Sequence, residues 1–193
     1  MTIHHDAFAV PHIRAQTDAD LFSAPGMQHA FHRCFQMDML RRALSGRLAE
    51  TLGDRPVPAG AGVPGGGTML SDADRFMRTL DLVGAARGVW ARADVEGRGL
   101  LRAYAEGVNH AQTILRRRRP IEYRALRLPI RPWRPLDSIL VAKGMALGLS
   151  FKWRTAPVFA RIAAHLAESP VHFEHLLPRT PGFTGVPHGH WMG

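Results

Sequence analysis

The sequence has little of several features that define protein classes. Its one cysteine, Cys34, can form no internal disulfide, which excludes a small secreted domain stapled by disulfides. No run of about 18 apolar residues is present, so no membrane-spanning helix is expected. The start, Met1 to Asp6, has neither the basic nor the apolar region of a secretory signal. These absences predict a cytoplasmic protein.

Lysine is also scarce, with only Lys143 and Lys152, although the chain is basic. Lysine plus arginine number 25 against 16 aspartates and glutamates, for a net charge of +9. Such an excess is typical of proteins that bind nucleic acid or another anionic surface, but it also fits the arginine-rich composition of a GC-rich genome. The 193 residues are 46% hydrophobic, enough for one domain with a sizeable core.

Helical spacing of apolar side chains dominates the chain. A short apolar stretch at 8–13, with Pro11 inside it, predicts an edge strand. Five helices are expected after it. The first covers 27–52, and the second follows a capping box of Ser71 and Asp74 and buries Phe76, Leu80 and Val83. The other three lie around Leu101 to Val108, after the caps Asp137 and Ser138, and from Pro157 to Leu166. A lone strand needs a sheet to join, so the rest of that sheet is expected in another polypeptide.

Two segments show no helical period. Residues 54–67 hold three prolines and five glycines and predict a flexible loop, too short to separate two domains. Residues 170–193 are rich in proline, glycine and histidine.

Two clusters carry alternative functions. The run from Arg116 to Arg119 could neutralise nucleic-acid phosphates, or it could be a solvated helix end; no aromatic residues interleave with it to stack bases. The pairs His188 with His190 and His172 with His175 have no further ligands at a recognised metal spacing, so no metal site is expected.

No catalytic nucleophile is expected in this chain. Cys34 falls on the apolar face of the first long helix, where a buried structural thiol is expected. None of the serines lies in a Gly-x-Ser-x-Gly or Ser-x-x-Lys pattern; they are Ser23, Ser45, Ser71, Ser138, Ser150 and Ser169.

Several segments, in order and spacing, resemble the α subunit of the penicillin acylase family. They are 6–13, 29–50 and 103–109, with the Asp-x-x-x-Arg-x-Leu helix at Asp74 to Leu80, the Pro-x-Glu-Tyr sequence at Pro120 to Tyr123, and the Pro-Trp-x-Pro-x-Asp-Ser sequence at Pro132 to Ser138. The resemblance covers about residues 6–166.

This resemblance implies an N-terminal-nucleophile hydrolase of α+β class. Such an αββα sandwich forms only with a β subunit cut from the same precursor, and the present chain, residues 1–193, would be its mostly helical α subunit with an N-terminal strand. The first β-chain residue, usually serine, would attack an amide carbonyl, its own α-amino group would act as the base, and β-chain donors would stabilise the oxyanion. That explains the missing nucleophile.

The resemblance also implies a few site residues in this chain. In the family, the helix after the Pro-Trp sequence lines the acyl pocket, which assigns substrate binding to Met145, Gly148 and Leu149. Met145 and Leu149 share a helix face, so the alternative is that both are core. The family often cuts a Gly–Ser bond, so Gly193 is the expected processing site at the end of the segment 170–193; an ordinary chain end is the alternative.

Three departures from the family pattern matter. The expected Ala-Gln-Asp-Arg reads Ala30-Phe31-His32-Arg33, which puts His32 in place of an aspartate, and the glycine expected before Val10 is Ala9. Where many members carry a calcium-ligating glutamate, this chain reads Phe151 to Ala156 with Lys152 and Arg154 and no carboxylate. No cofactor is therefore expected, and a calcium site is in doubt.

The sequence favours the α chain of a heterodimeric, autoproteolytically processed acylase that hydrolyses an N-acyl amide with a hydrophobic acyl group. Antibiotic or other natural-product biosynthesis is the role expected for such an enzyme. One alternative is an amide-forming acyltransferase of the same fold. Another is a basic nucleic-acid-binding or catalytically dead scaffold protein. The partners expected for the favoured function are the β subunit and a small N-acyl amide, with neither nucleic acid nor membrane.

Overall fold

The computed structural model describes residues 1–57, 69–150 and 152–166; for 152–155 and 166 it describes the backbone alone. Most of these residues are helical. The elements are β1 (Thr2–His5), β2 (Pro11–Arg14), α1 (Asp18–Leu44), α2 (Ala49–Leu52), α3 (Leu70–Leu80), α4 (Leu82–Arg92), α5 (Val95–Leu115), α6 (Ile121–Ala125), α7 (Pro135–Leu149) and α8 (Lys152–Leu166). The predicted helix-rich chain with strand structure at its N-terminus is confirmed.

The structure has two N-terminal strands where the sequence predicts one. β1 and β2 form an antiparallel hairpin in which Ile3 pairs with Ile13 and His4 with His12. The Asp6 carboxylate closes the turn by accepting hydrogen bonds from the amides of Phe8 and Val10 at 2.9 and 3.0 Å. The sequence prediction of a lone strand was wrong because Thr2, His4 and His5 hide the first strand from a search for apolar alternation.

The longest helix begins earlier and ends earlier than its apolar spacing predicts. Thr17 caps α1, its hydroxyl accepting from the Asp20 amide at 3.2 Å, and the helix bends at Arg33. It ends at Gly46, whose φ of +64° lets the Arg47 amide reach the Arg42 carbonyl at 2.8 Å. That is a Schellman end, so glycine at position 46 ends the helix well before the predicted end at residue 52.

α1 and α5 cross with their backbones almost in contact. A Cβ on Gly107 of α5 would overlap the Ser23 carbonyl and lie 2.7 Å from its carbon. A Cβ on Gly26 of α1 would overlap the Tyr104 carbonyl in the same way. Only glycine fits at these two positions, and small residues around them, Ala30, Ala105 and Ala111, form the core with Val108 and Trp133.

The capping box predicted for α3 is replaced by other contacts. Asp54, not Asp74, caps its first turn, accepting from the amide and hydroxyl of Ser71 at 3.0 and 2.8 Å. The buried Asp74 carboxylate instead accepts from the Leu48 and Ala49 amides, at 2.9 and 2.8 Å, and so fixes the start of α2. The helix expected through Val83 is two helices, because Asp81 has a left-handed φ of +47° and caps α4.

The chain divides into two compact units, Met1–Leu147 and Gly148–Gly193, which are described separately. In the second, α8 begins at Lys152, five residues before the predicted start, so that Pro157 lies inside the helix. Val158, in this helix, is 55% exposed. In the predicted loop 54–67, residues 58–67 lie outside the described part of the chain, as does the segment 170–193 with Gly193.

Candidate functional site

The start of α7 is held by hydrogen bonds from two other helices. The Asn109 side chain of α5 pairs with both backbone groups of Trp133, accepting from its amide at 2.7 Å and donating to its carbonyl at 2.9 Å. Asp137 accepts from the Arg134 amide at 2.8 Å, and Ser138 accepts from the Trp133 indole at 2.9 Å. Asp137 thus bonds back to the residue before the helix, as the acidic member of a capping box does. Ser138 bonds a side-chain indole and caps no backbone amide, so the predicted cap is confirmed for Asp137 alone.

Arg41 of α1 ties the same segment to the longest helix. Its guanidinium donates to the carboxylates of Asp38 and Asp137 at 2.8 and 3.1 Å, and to the carbonyls of Arg131 and Pro132 at 3.1 and 2.8 Å. The planar fork of arginine can reach several acceptors at once. These contacts fix the beginning of α7, whereas Met145 and Leu149 near its other end are exposed.

The residues assigned to the acyl pocket all lie in α7. Met145 is 63% and Leu149 74% exposed, so neither belongs to the core that the described residues form. Among the described residues, a Cβ on Gly148 would meet no atom within 4 Å, so their packing does not require glycine there. Their contact with substrate stays a prediction.

Cys34 is buried, as expected for a structural thiol. It is 5% exposed, and its sulfur lies 3.6 Å from the Tyr123 hydroxyl, which donates to the Cys34 carbonyl at 3.2 Å. Burial raises the pKa of the Cys34 thiol above its usual range. A neutral, inaccessible thiol is a poor nucleophile.

Several serine hydroxyls have structural roles. Ser45 donates to the Arg41 carbonyl at 2.7 Å, Ser71 donates to Asp54 at the start of α3, and Ser138 accepts from the Trp133 indole. Ser169 lies outside the described residues. These contacts agree with a nucleophile that is supplied elsewhere.

The described histidines lie near the N-terminal hairpin and along the helices. The His5 ring donates to the Gln28 side chain at 3.0 Å and meets the His32 ring edge to face at 6.5 Å. Within 1–57, 69–150 and 152–166, no three histidine, cysteine, aspartate or glutamate side chains are placed to hold a metal ion. The pairs His188 with His190 and His172 with His175 lie outside the described residues. So do the side chains at 152–155, where a calcium site was considered.

Arg116 to Arg119 follow α5 and are exposed, which matches the solvated helix end. No helix in the described part of the chain is long and apolar enough to span a membrane.

Ala9 stands before Val10, where the resemblance predicts a glycine. Its φ of +61° is left-handed, a conformation that a side chain with Cβ adopts at a cost of about 1–2 kcal/mol. Sequence reasoning noted the substitution but not this backbone requirement.

Comparisons with known proteins agree with these observations. Penicillin acylase 2 proenzyme of Pseudomonas sp. (strain SE83) is 33% identical over 151 residues, 78% of this chain and 18% of that protein. Acyl-homoserine lactone acylase QuiP of Pseudomonas aeruginosa is 32% identical over 150 residues, 78% of this chain and 16% of that protein. The chain therefore spans less than a fifth of the length of these relatives.

A solved structure shows the same fold. Thermostable penicillin G acylase from Alcaligenes faecalis matches with a TM-score of 0.71 and 24% identity, covering 97% of each chain. The model of the penicillin amidase family matches residues 1–183. The resemblance drawn from the sequence is thereby confirmed, and the chain belongs to the penicillin amidase family.

Proposed function

We propose that this chain is the α subunit of an N-acyl amide hydrolase. The observation that carries the proposal is the family match over residues 1–183, together with relatives named as penicillin and acyl-homoserine lactone acylases. The nucleophile in this proposal is the N-terminal serine of a β chain cut from the same precursor. The buried Cys34 and the structural hydroxyls of Ser45, Ser71 and Ser138 support a nucleophile outside this chain.

The acyl group is hydrophobic in this proposal and contacts α7. Met145 and Leu149 present apolar side chains that the chain itself leaves exposed, and Gly148 adds no bulk beside them. Burial of such side chains against an alkyl or aryl group contributes about 25 cal/mol per Å² of apolar surface. An acyl-enzyme forms and water resolves it. A cytoplasmic role in natural-product biosynthesis belongs to the same proposal.

The test is to purify the protein with every chain that accompanies it and to assay p-nitroanilides that carry acetyl, hexanoyl, decanoyl and phenylacetyl groups. We expect a second, larger chain that begins with serine, and turnover that rises with the apolar size of the acyl group. An added amine distinguishes the transferase, because a new amide would then replace the free acid. Inertness toward all four compounds, with no second chain, would refute the proposal.

A further inference from the structure

A cavity of about 820 Å³ opens between α1, α4 and the segment that precedes α7, within the unit Met1–Leu147. We call it the arginine-rimmed groove. Its lining contains six arginines and two aspartates; the arginines are Arg41, Arg42, Arg47, Arg87, Arg131 and Arg134, and the aspartates are Asp38 and Asp137. None of these residues was singled out as a site by the sequence.

The carboxylates near the groove are already paired. Asp38 lies 2.8 Å from Arg41 and 3.3 Å from Arg42. Asp137 lies 3.1 Å from both Arg41 and Arg134.

The positive charge of the groove is larger than these pairs can neutralise. Arg47 forms a salt bridge with Glu50 at 2.7 Å. Among the described residues, neither Arg87 nor Arg131, both exposed, has a carboxylate within 4.0 Å. Arg131 acts on Glu50, which Arg47 already binds, only at longer range. Arg87 and Arg131 can therefore each pair directly with a carboxylate of another molecule.

The groove also has an apolar floor. Ala86 and Leu140 are 0% and 5% exposed, and the half-buried Val83 and Leu136 lie beside them. A surface of this kind fits a segment in which carboxylates flank an apolar side chain. The carboxylates would pair with the guanidiniums, and the apolar side chain would cover the floor.

We propose that an acidic segment of the partner polypeptide, the β chain, docks in the arginine-rimmed groove. This inference rests on the proposed function and assigns a location and a charge to its partner contact. Two observations favour a polypeptide: the chain spans only 16–18% of the length of relatives of its own family, and its net charge of +9 calls for an acidic complement. Arg87 and Arg131 supply the pairing groups.

Carbodiimide cross-linking of the intact complex tests the contact. The reagent activates a carboxylate, which then forms an amide with a nearby amine while the carbodiimide leaves as a urea; arginine does not react. We expect R87K and R131K each to give a cross-link to an aspartate or glutamate of the partner chain, mapped by mass spectrometry. R117K, at the exposed end of α5, is the matched control and should give at least about tenfold less.

Charge reversal provides a second measurement. The double variant R87E/R131E should lower the melting temperature of the complex in 50 mM NaCl, and the difference from the unsubstituted protein should shrink in 500 mM NaCl because salt screens the pairs. R117E/R118E should change it little. The activity of the complex at low temperature checks that R87E/R131E is folded.

The outcomes separate this inference from the proposed function. Absence of any second chain would overturn both. The docking alone would be overturned by the following result: a second chain is present and the complex has amidase activity, but R131K cross-links only to Glu50 of its own chain and R87K gives no cross-link. Binding of octanoate to the intact complex, lost in R87E/R131E, would identify a small carboxylate as the occupant and would also overturn it.

Discussion

The crossing of α1 and α5 should make Gly107 intolerant of even one methyl group. In Gly107→Ala the new carbon would lie 2.7 Å from the Ser23 carbonyl carbon, whereas ordinary contact begins at 3.4 Å. The carbonyl oxygen lies closer still, so the helices would have to separate by more than about 0.7 Å, and backbone cannot rotate away as a side chain can. Overpacking of this kind costs about 3 kcal/mol at the upper end of its usual range. Alanine returns about 1 kcal/mol of helix propensity, which leaves a net loss of about 2 kcal/mol.

Gly99 is the matched control in the same helix. A Cβ there meets no atom within 4 Å, so Gly99→Ala should gain about 1 kcal/mol with nothing to offset it. Thermal unfolding of the native protein, followed by circular dichroism, should show a lower melting temperature for Gly107→Ala and a higher one for Gly99→Ala. Changes of the same sign, or an unchanged melting temperature in Gly107→Ala, would refute the close crossing.

Four further results are expected. Ala9→Gly should stabilise the protein by about 1 kcal/mol, seen as a higher melting temperature, because glycine tolerates the left-handed φ. Asp74→Ala should destabilise it by about 2–3 kcal/mol in urea unfolding, since two amides at the start of α2 lose their acceptor; Asp74→Asn, which keeps one acceptor, should cost less. Gly148→Leu should lower kcat/KM about tenfold for decanoyl but not acetyl amides, while Gly99→Leu should leave both unchanged. Cys34 should resist Ellman's reagent in the folded protein. Because burial raises its pKa, its contribution to stability should be complete below its ordinary value of 9.0 and decline as the pH rises above it, which urea unfolding at pH 7 and pH 10 would measure.

The sequence predicted best where local chemistry decides the structure. The Asp137 contact at the start of α7 follows from a side chain that bonds its own neighbour, and the buried Cys34 follows from the apolar period of α1. The predicted caps and helix boundaries were wrong where a residue distant in the sequence makes the deciding contact. Asp74 looked like half of a capping box, but its carboxylate is used by α2, 25 residues away. Apolar spacing also placed Leu80 on the buried face of α3, whereas it is 38% exposed and Met77 is buried.

The arginine-rimmed groove could not be predicted from the sequence. Its cationic side chains come from three parts of the chain and are adjacent only after α1, α4 and the segment before α7 have packed. Which arginines are paired depends on individual distances, and no spacing in the sequence encodes them. The run from Arg116 to Arg119, conspicuous in the sequence, is by contrast an exposed helix end.

The four bonds of Arg41 have a consequence for how selectivity could change during evolution. This side chain sets where α7 begins, yet it lies at the opposite end of that helix from Met145 and Leu149. A shift of about 1 Å in a substrate-positioning element can change rates about a hundredfold. On the proposal that Met145 and Leu149 contact the acyl group, selection for a new acyl chain could act on Arg41, through the tilt of α7, and leave those two side chains unaltered.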